Sequence, residues 1–239
     1  MSLAPTLAPP PARRSGIAPI AAPAPRIRTA AELAERFGDV PLWRVVLDPE
    51  PGTATVRDVD RVKRETGRVC ELIDGTLVEK GVSFESEAMA LELGVLLRNA
   101  IRGKKLGWIV GSQGFLRLSG GRLRAADAAF VGEHQVPSGR LPGPSTGGPA
   151  YPELFPDLAV EILSPSNTRG EMLQKRRDFF AAGTRLVWQI DPEAGTCEVY
   201  TRPDEPDATV RSDENLDGGT VLPGVSIPLA DVLAAVELS

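Results

Sequence analysis

The chain has little of what most nucleophile and transition-metal chemistries need. Its 239 residues include two cysteines, Cys70 and Cys197, and one histidine, His134. Two cysteines cannot build a disulfide framework or a four-ligand zinc centre. One histidine leaves any mechanism that needs an imidazole base with a single candidate, so Ser-His-Asp and zinc-protease chemistry are poorly provided for. The longest uncharged run, residues 218–230, has 13 positions and two prolines, too short and broken to cross a bilayer as a helix. There is no phosphate loop either, because Gly103-Lys104-Lys105 lacks the further Gly and the Ser/Thr that such a loop requires.

What is present is an ordinary globular composition, 42% hydrophobic and 25% charged, in a chain long enough to bury a core without staples. The net charge of -5 speaks weakly against a nucleic-acid partner. That charge is unevenly spread. Residues 194–239 hold nine acids and two bases, which leaves 25 bases against 23 acids in residues 1–193. A polyanion can therefore bind the body while the C-terminal part stays acidic. The first 25 residues carry seven Pro and seven Ala, with Arg13 and Arg14 as their only charges. Proline breaks their apolar stretch too early for a signal peptide, so residues 1–28 read as a disordered arm and the expected location is the cytoplasm.

From Thr29, a capping residue, positions 30–37 predict one short helix, and residues 29–66 read as a small helical extension. The main domain, 67–239, opens on a hairpin whose strands, 69–73 and 76–80, flank Asp74-Gly75. Residues 84–102 predict a helix, with Leu93, Leu96, Leu97, Ala100 and Ile101 at helical spacing and Gly103 as its stop. Strands are expected over 108–111, 115–118 and 124–131. Ten Pro and Gly among the 22 positions 135–156 mark a long loop. The apolar run 158–163 predicts a strand buried on both faces. A helix over 169–182, closed by Gly183, and a strand over 186–190 follow, and 196–201 pairs with that strand. Strand, helix and strand at this spacing imply a crossover unit.

Two acids do not fit their surroundings. Glu161 interrupts the apolar run, and Asp127 is the one acid in Ala125-Ala126-Asp127-Ala128-Ala129-Phe130-Val131. Burying an ionised carboxylate is costly unless it is paired or holds a cation, so each is either half of an ion pair or a metal ligand or base. Lys175, in the following helix, has an i,i+4 partner in Glu171 but shares a helical face with Asp178 that the crossover can carry to the strand end. Arg169, Arg176 and Arg177 make that helix basic, which suits phosphate contact and a solvated face equally.

The order of these features resembles the Uma-type family of restriction endonucleases. The residues that carry the resemblance are Cys70-Glu71-Leu72-Ile73-Asp74-Gly75-Thr76-Leu77-Val78-Glu79-Lys80, the Asp127 segment, Pro156-Asp157-Leu158-Ala159-Val160-Glu161-Ile162-Leu163-Ser164-Pro165-Ser166-Asn167, Lys175 to Gly183 with Val187-Trp188-Gln189-Ile190-Asp191-Pro192, and Val221 to Leu229. The resemblance implies the PD-(D/E)xK superfamily and an α/β, restriction-endonuclease-like core: a mixed central β-sheet flanked by helices, with an N-terminal hairpin and additional strands. It also implies that Asp127 is the acid of the PD element, Glu161 the acid of (D/E)xK, and Lys175 the lysine moved onto the helix. Glu85 matches the first-helix acid, with Glu87 competing. Ala126 stands where the pattern has proline, and Leu163 where the strand form has lysine.

The expected activity is Mg²⁺- or Mn²⁺-dependent hydrolysis of DNA phosphodiester bonds. Asp127 and Glu161 would hold the metal, the Ile162 carbonyl could add a ligand, and Lys175 would position or help deprotonate water. Arg169, Arg176, Arg177, Arg98, Arg102, Lys104 and Lys105 are the candidate phosphate contacts. The alternative is the same fold kept as a catalytically inactive module for DNA or protein binding. A homodimer is expected, since two-fold-related sites cut both strands most simply, with 196–201 and the segments near Val210 and Val221 either supplying a self-complementary sheet edge or completing one subunit's sheet.

Overall fold

The computed structural model describes Ile27 and residues 29–237, so the Pro/Ala-rich arm expected over 1–28 lies outside the described residues except for Ile27. Thr29 Oγ1 accepts the Glu32 N–H and starts α1 (Ala30–Arg36). A short strand β1 (Val45–Val46) and α2 (Val56–Thr66), closed by left-handed Gly67, follow. Asp74 and Gly75 take φ of 48° and 73°, the left-handed pair that a two-residue hairpin needs to match the twist of its strands. They join β2 (Cys70–Ile73) to β3 (Thr76–Glu79). Since β1 pairs with β3, the segment 29–66 contributes a strand as well as helices to the hairpin's own sheet. Leu33 and Phe37 pack on Val45, Ile73 and Val78, and Val59 and Val62 pack on Cys70, Leu72 and Leu77.

Ser83 caps α3 (Phe84–Ala100), which ends one residue before Ile101. β4 (Gly107–Gly111), β5 (Leu116–Arg117), β6 (Leu123–Arg124) and β7 (Ala128–Gly132) follow. The strand expected over 124–131 is in fact two. The chain leaves the first sheet, ordered β1-β3-β2-β6-β5, after Arg124 and enters a second sheet at Ala128. Ala125, Ala126 and Asp127 make the transfer, and both alanines are buried. An unbroken row of small residues reads as one strand because residue type does not reveal a change of ladder.

The second sheet continues through β8 (Leu158–Ile162), α4 (Arg169–Ala182), β9 (Leu186–Asp191), β10 (Thr196–Tyr200) and β11 (Ala208–Arg211), in the order β11-β10-β9-β8-β7-β4. Only β8 and β9 run parallel, joined across α4, so the sheet is mixed. Leu158, Val160 and Ile162 of β8, with Leu186, Trp188 and Ile190 of β9, pack on the α3 side with Leu93 and Leu97. Ala159 and Val187 pack on the opposite side with Phe179 of α4. Both faces of β8 are therefore covered, which accounts for its nearly continuous apolar run. A small pair, β12 (Asn215–Asp217) and β13 (Ser226–Pro228), leads to α5 (Leu229–Leu233) and completes the α3-side core. Segment 196–201 is interior to the sheet, and Val221 lies in a turn, so β11 alone of the three candidate edge segments ends the sheet. Among the described residues no helix is long and apolar enough to cross a membrane.

Candidate active site

The register of β7 on β8 brings the two acids together. Ala128 lies opposite Val160 and Ala129 opposite Ala159, so Asp127 and Glu161 each stand one residue beyond the pair that ends the ladder. The Asp127 N–H donates to the Val160 carbonyl at 2.9 Å, and Asp127 Oδ2 accepts the Ile162 N–H at 2.7 Å. The carboxylate thus takes the place of the next backbone acceptor where the strand begins. Alternation along β8 sends Glu161 to the side of Ala159, toward α4.

Each acid has its own lysine. Lys175 Nζ donates to Glu161 Oε2 at 2.7 Å and lies 3.5 Å from Glu71 Oε1. Lys80, at the end of β3, donates to Asp127 Oδ1 at 2.7 Å and to the carbonyls of Ser112 and Ala126. All four side chains are buried. Glu161 Oε1 is buried with no hydrogen-bond partner. Burial pushes the Glu161 carboxyl up to about 8, with the Asp127 charge adding to it and Lys175 and Lys80 opposing it. Burial alone would pull Lys175 down, but the charges of Glu161, Glu71 and Asp127 outweigh it and hold the ammonium above its ordinary range.

The two acids of α4 are held by arginines from outside the helix. Lys175 does not pair with Glu171, because Arg44 takes that carboxylate with two hydrogen bonds of 2.9 and 2.6 Å. Asp178 takes Arg124 and Arg122, and Arg124 also donates to Glu71 at 2.6 Å. Burial would raise Glu71, yet Lys175, Arg124 and the Ala125 N–H together hold it at about 2. Glu161 is therefore the acid of this group whose ionisation is opposed, whereas Glu71 is the one whose ionisation is secured.

A cleft of about 540 Å³ between α3 and β4 reaches Asp127 and is also lined by Glu87, Ser112, Arg98 and Arg102. Ser112 Oγ donates to Glu87 Oε2 at 3.0 Å. Glu85 is exposed two residues earlier and is not among the residues that line this cleft, whereas Glu87 is. Lys104 and Lys105 are exposed beyond α3, and Arg169 is exposed in the first turn of α4. Arg177 is exposed but bonded to Asp204 at 2.8 Å. Arg176 is not available to a phosphate. It is buried against Gln189 Oε1 and the Pro203 carbonyl and stacks 4.1 Å from the Tyr200 ring centroid. Gly143-Pro144-Ser145-Thr146-Gly147 has the spacing of a nucleophile elbow, but Ser145 is exposed in a short 3-10 turn within the long loop rather than between a strand and a helix.

A family model described as "Putative restriction endonuclease" matches residues 56–230, a span that holds both acids, both lysines and the cleft. The chain belongs to the Uma2 family. No curated protein matches the sequence. Among solved structures, the crystal structure at 1.96 Å of a "putative nuclease belonging to DUF820" from Anabaena variabilis ATCC 29413 is similar to this chain in fold. It aligns with a TM-score of 0.60 at 19% identity, over 74% of this chain and 97% of that one. The segment before residue 56, with α1 and β1, lies ahead of the Uma2 match.

Proposed function

We propose that this Uma2 protein is a metal-dependent nuclease that hydrolyses DNA phosphodiester bonds, with Asp127 and Glu161 as its cation-binding acids. The observation that carries this reading is the unpartnered, buried Glu161 Oε1 beside Asp127. An orphaned buried acceptor is costly, and carboxylate oxygens are the donors that Mg²⁺ and Mn²⁺ take. The pair fits such an ion in donor chemistry. Among the described residues no group of three or more His, Cys, Asp or Glu forms a ready cage, so the other ligands fall to water and phosphate. When bound, a divalent cation lowers the pKa of water and neutralises charge on the scissile phosphate.

The chain's own residues supply the rest. Lys175 holds Glu161 Oε2 in place and, staying protonated, contributes positive charge where the phosphate gains negative charge. Arg98 and Arg102 are set along the cleft to hold phosphates away from the scissile bond. Incubating the protein with plasmid and short duplexes across Mg²⁺ and Mn²⁺ tests the reading. Metal-dependent cutting is expected, whereas DNA binding without cutting would favour the inactive module.

Neutralising the two cleft arginines separates binding from chemistry. Arg98→Gln with Arg102→Gln is expected to weaken duplex binding and to lower the slope of log affinity against log salt by about 2, roughly one for each lost phosphate contact. Fluorescence anisotropy at several salt concentrations measures this. An unchanged slope would remove both residues from the DNA path.

The dimer reading rests on β11, whose Ala208, Thr209 and Arg211 are exposed at the end of the mixed sheet. Light scattering at micromolar protein should give about twice the 25.5 kDa chain mass. A mass of one chain would remove the dimer.

A further inference from the structure

Resting on the reading of Asp127 and Glu161 as cation ligands, we propose that Lys80 is a built-in counter-cation of Asp127 that competes with the divalent metal and so sets the site's affinity for it. The two lysines stand differently toward their acids. Lys175 engages only Oε2 of Glu161 and leaves Oε1 without a partner. Asp127 has no such spare oxygen. Its Oδ2 is committed to the Ile162 N–H, and its Oδ1, the oxygen left to offer a cation, is the one that Lys80 holds.

Lys80 is also fully provided for in the absence of metal. An ammonium has three N–H donors, and Nζ has three acceptors: Asp127 Oδ1 at 2.7 Å, the Ser112 carbonyl at 3.1 Å and the Ala126 carbonyl at 3.4 Å. On yielding Asp127 it would keep the two carbonyls, so withdrawal does not strand it. Ser112 is also the residue whose hydroxyl holds Glu87 at the cleft. Lys80 thereby ties Asp127 to the turn at Ser112, which itself holds Glu87 of α3. A fixed positive charge in this buried position opposes the entry of a dication, and water screens it little.

The test is calorimetric titration of Mn²⁺ and Mg²⁺ into the wild type and Lys80→Gln, with thermal melting of each in the presence and absence of metal. The glutamine amide keeps an N–H donor on this side chain while removing the charge. Lys80→Gln should melt below the wild type without metal, recover with Mn²⁺, and bind Mn²⁺ about tenfold or more tightly, since a neighbouring like charge has been removed. A lysine with a merely structural role would weaken metal binding when lost, so equal or weaker affinity overturns the proposal. If the variant folds only in Mn²⁺, that recovery supports the competition, and failure to fold with Mn²⁺ overturns it. The nuclease reading fails separately: tighter Mn²⁺ binding by the variant with no DNA cutting by the wild type would sink that reading alone, and cutting with unchanged affinity would sink this one alone.

Discussion

Glu161→Gln should abolish metal-dependent cleavage while leaving the fold in place. Only one Glu161 oxygen has a partner, so the amide oxygen can accept from Lys175 while the nitrogen takes the position of the unpartnered atom. The bond to Lys175 is kept, and what the substitution removes is the capacity to ionise and to offer a second oxygen. Asp127→Asn is a harsher change. Both Asp127 oxygens accept, from Ile162 N–H and from Lys80, and an amide offers only one acceptor. Its loss of activity must therefore be read beside its melting temperature. Loss of an outer partner of a metal ligand already costs about 10- to 100-fold, so loss of a ligand's charge should cost more than about 100-fold in cleavage rate. Single-turnover cleavage of a labelled duplex in Mg²⁺ measures it. Cutting at the wild-type rate by folded Glu161→Gln would remove Glu161 from the metal site and with it the paired-acid reading.

The two acids are legible in the sequence because each is a lone charge among residues that have no other reason to avoid the core. The crossover is legible too, since Leu158 to Ile162 and Leu186 to Ile190 are apolar on both faces and too short to be helices. What joins the acids is register, and register has no local signature. It follows from pairing Ala128 with Val160, positions separated in sequence by the long Pro/Gly loop. Lys80 stands next to Glu79 at a strand end, where a charged residue is ordinary, and nothing nearby marks it as the partner of Asp127. Glu71 and Arg124 meet only because β2 pairs with β6 at Leu72 and Leu123. Arg176 looks like its exposed neighbour Arg177, and the residues that bury it, Gln189 and Tyr200, arrive from strands later in the chain. Lone buried charges can be found from a single segment, whereas their partners depend on tertiary pairing.

Glu71→Gln and Glu161→Gln should tilt the pH dependence of stability in opposite directions. Glu71 is held at about 2, below its ordinary 4.5. The unfolded chain therefore binds more protons across that interval, and the stability Glu71 contributes is present above pH 4.5 and lost as pH falls toward 2. At 1.36 kcal/mol per unit the contribution is about 3 kcal/mol, comparable with the roughly 3–5 kcal/mol expected on breaking a buried charge network that leaves Arg124 and Lys175 short of a partner. Glu161 is raised from 4.5 to about 8. The folded protein binds the extra proton there, so stability is fully present below pH 4.5 and is lost as pH rises through 8. Relative to the wild type, Glu71→Gln should be about 3 kcal/mol less stable at pH 7 and converge with it as pH falls toward 2. Glu161→Gln, which cannot ionise, should instead gain on the wild type steadily between pH 4.5 and 8. Urea denaturation without divalent metal at half-unit pH steps measures both. Parallel curves for the wild type and Glu161→Gln over that range would mean that the buried carboxyl is already ionised at neutral pH, and the cation would then meet no competing proton at Glu161.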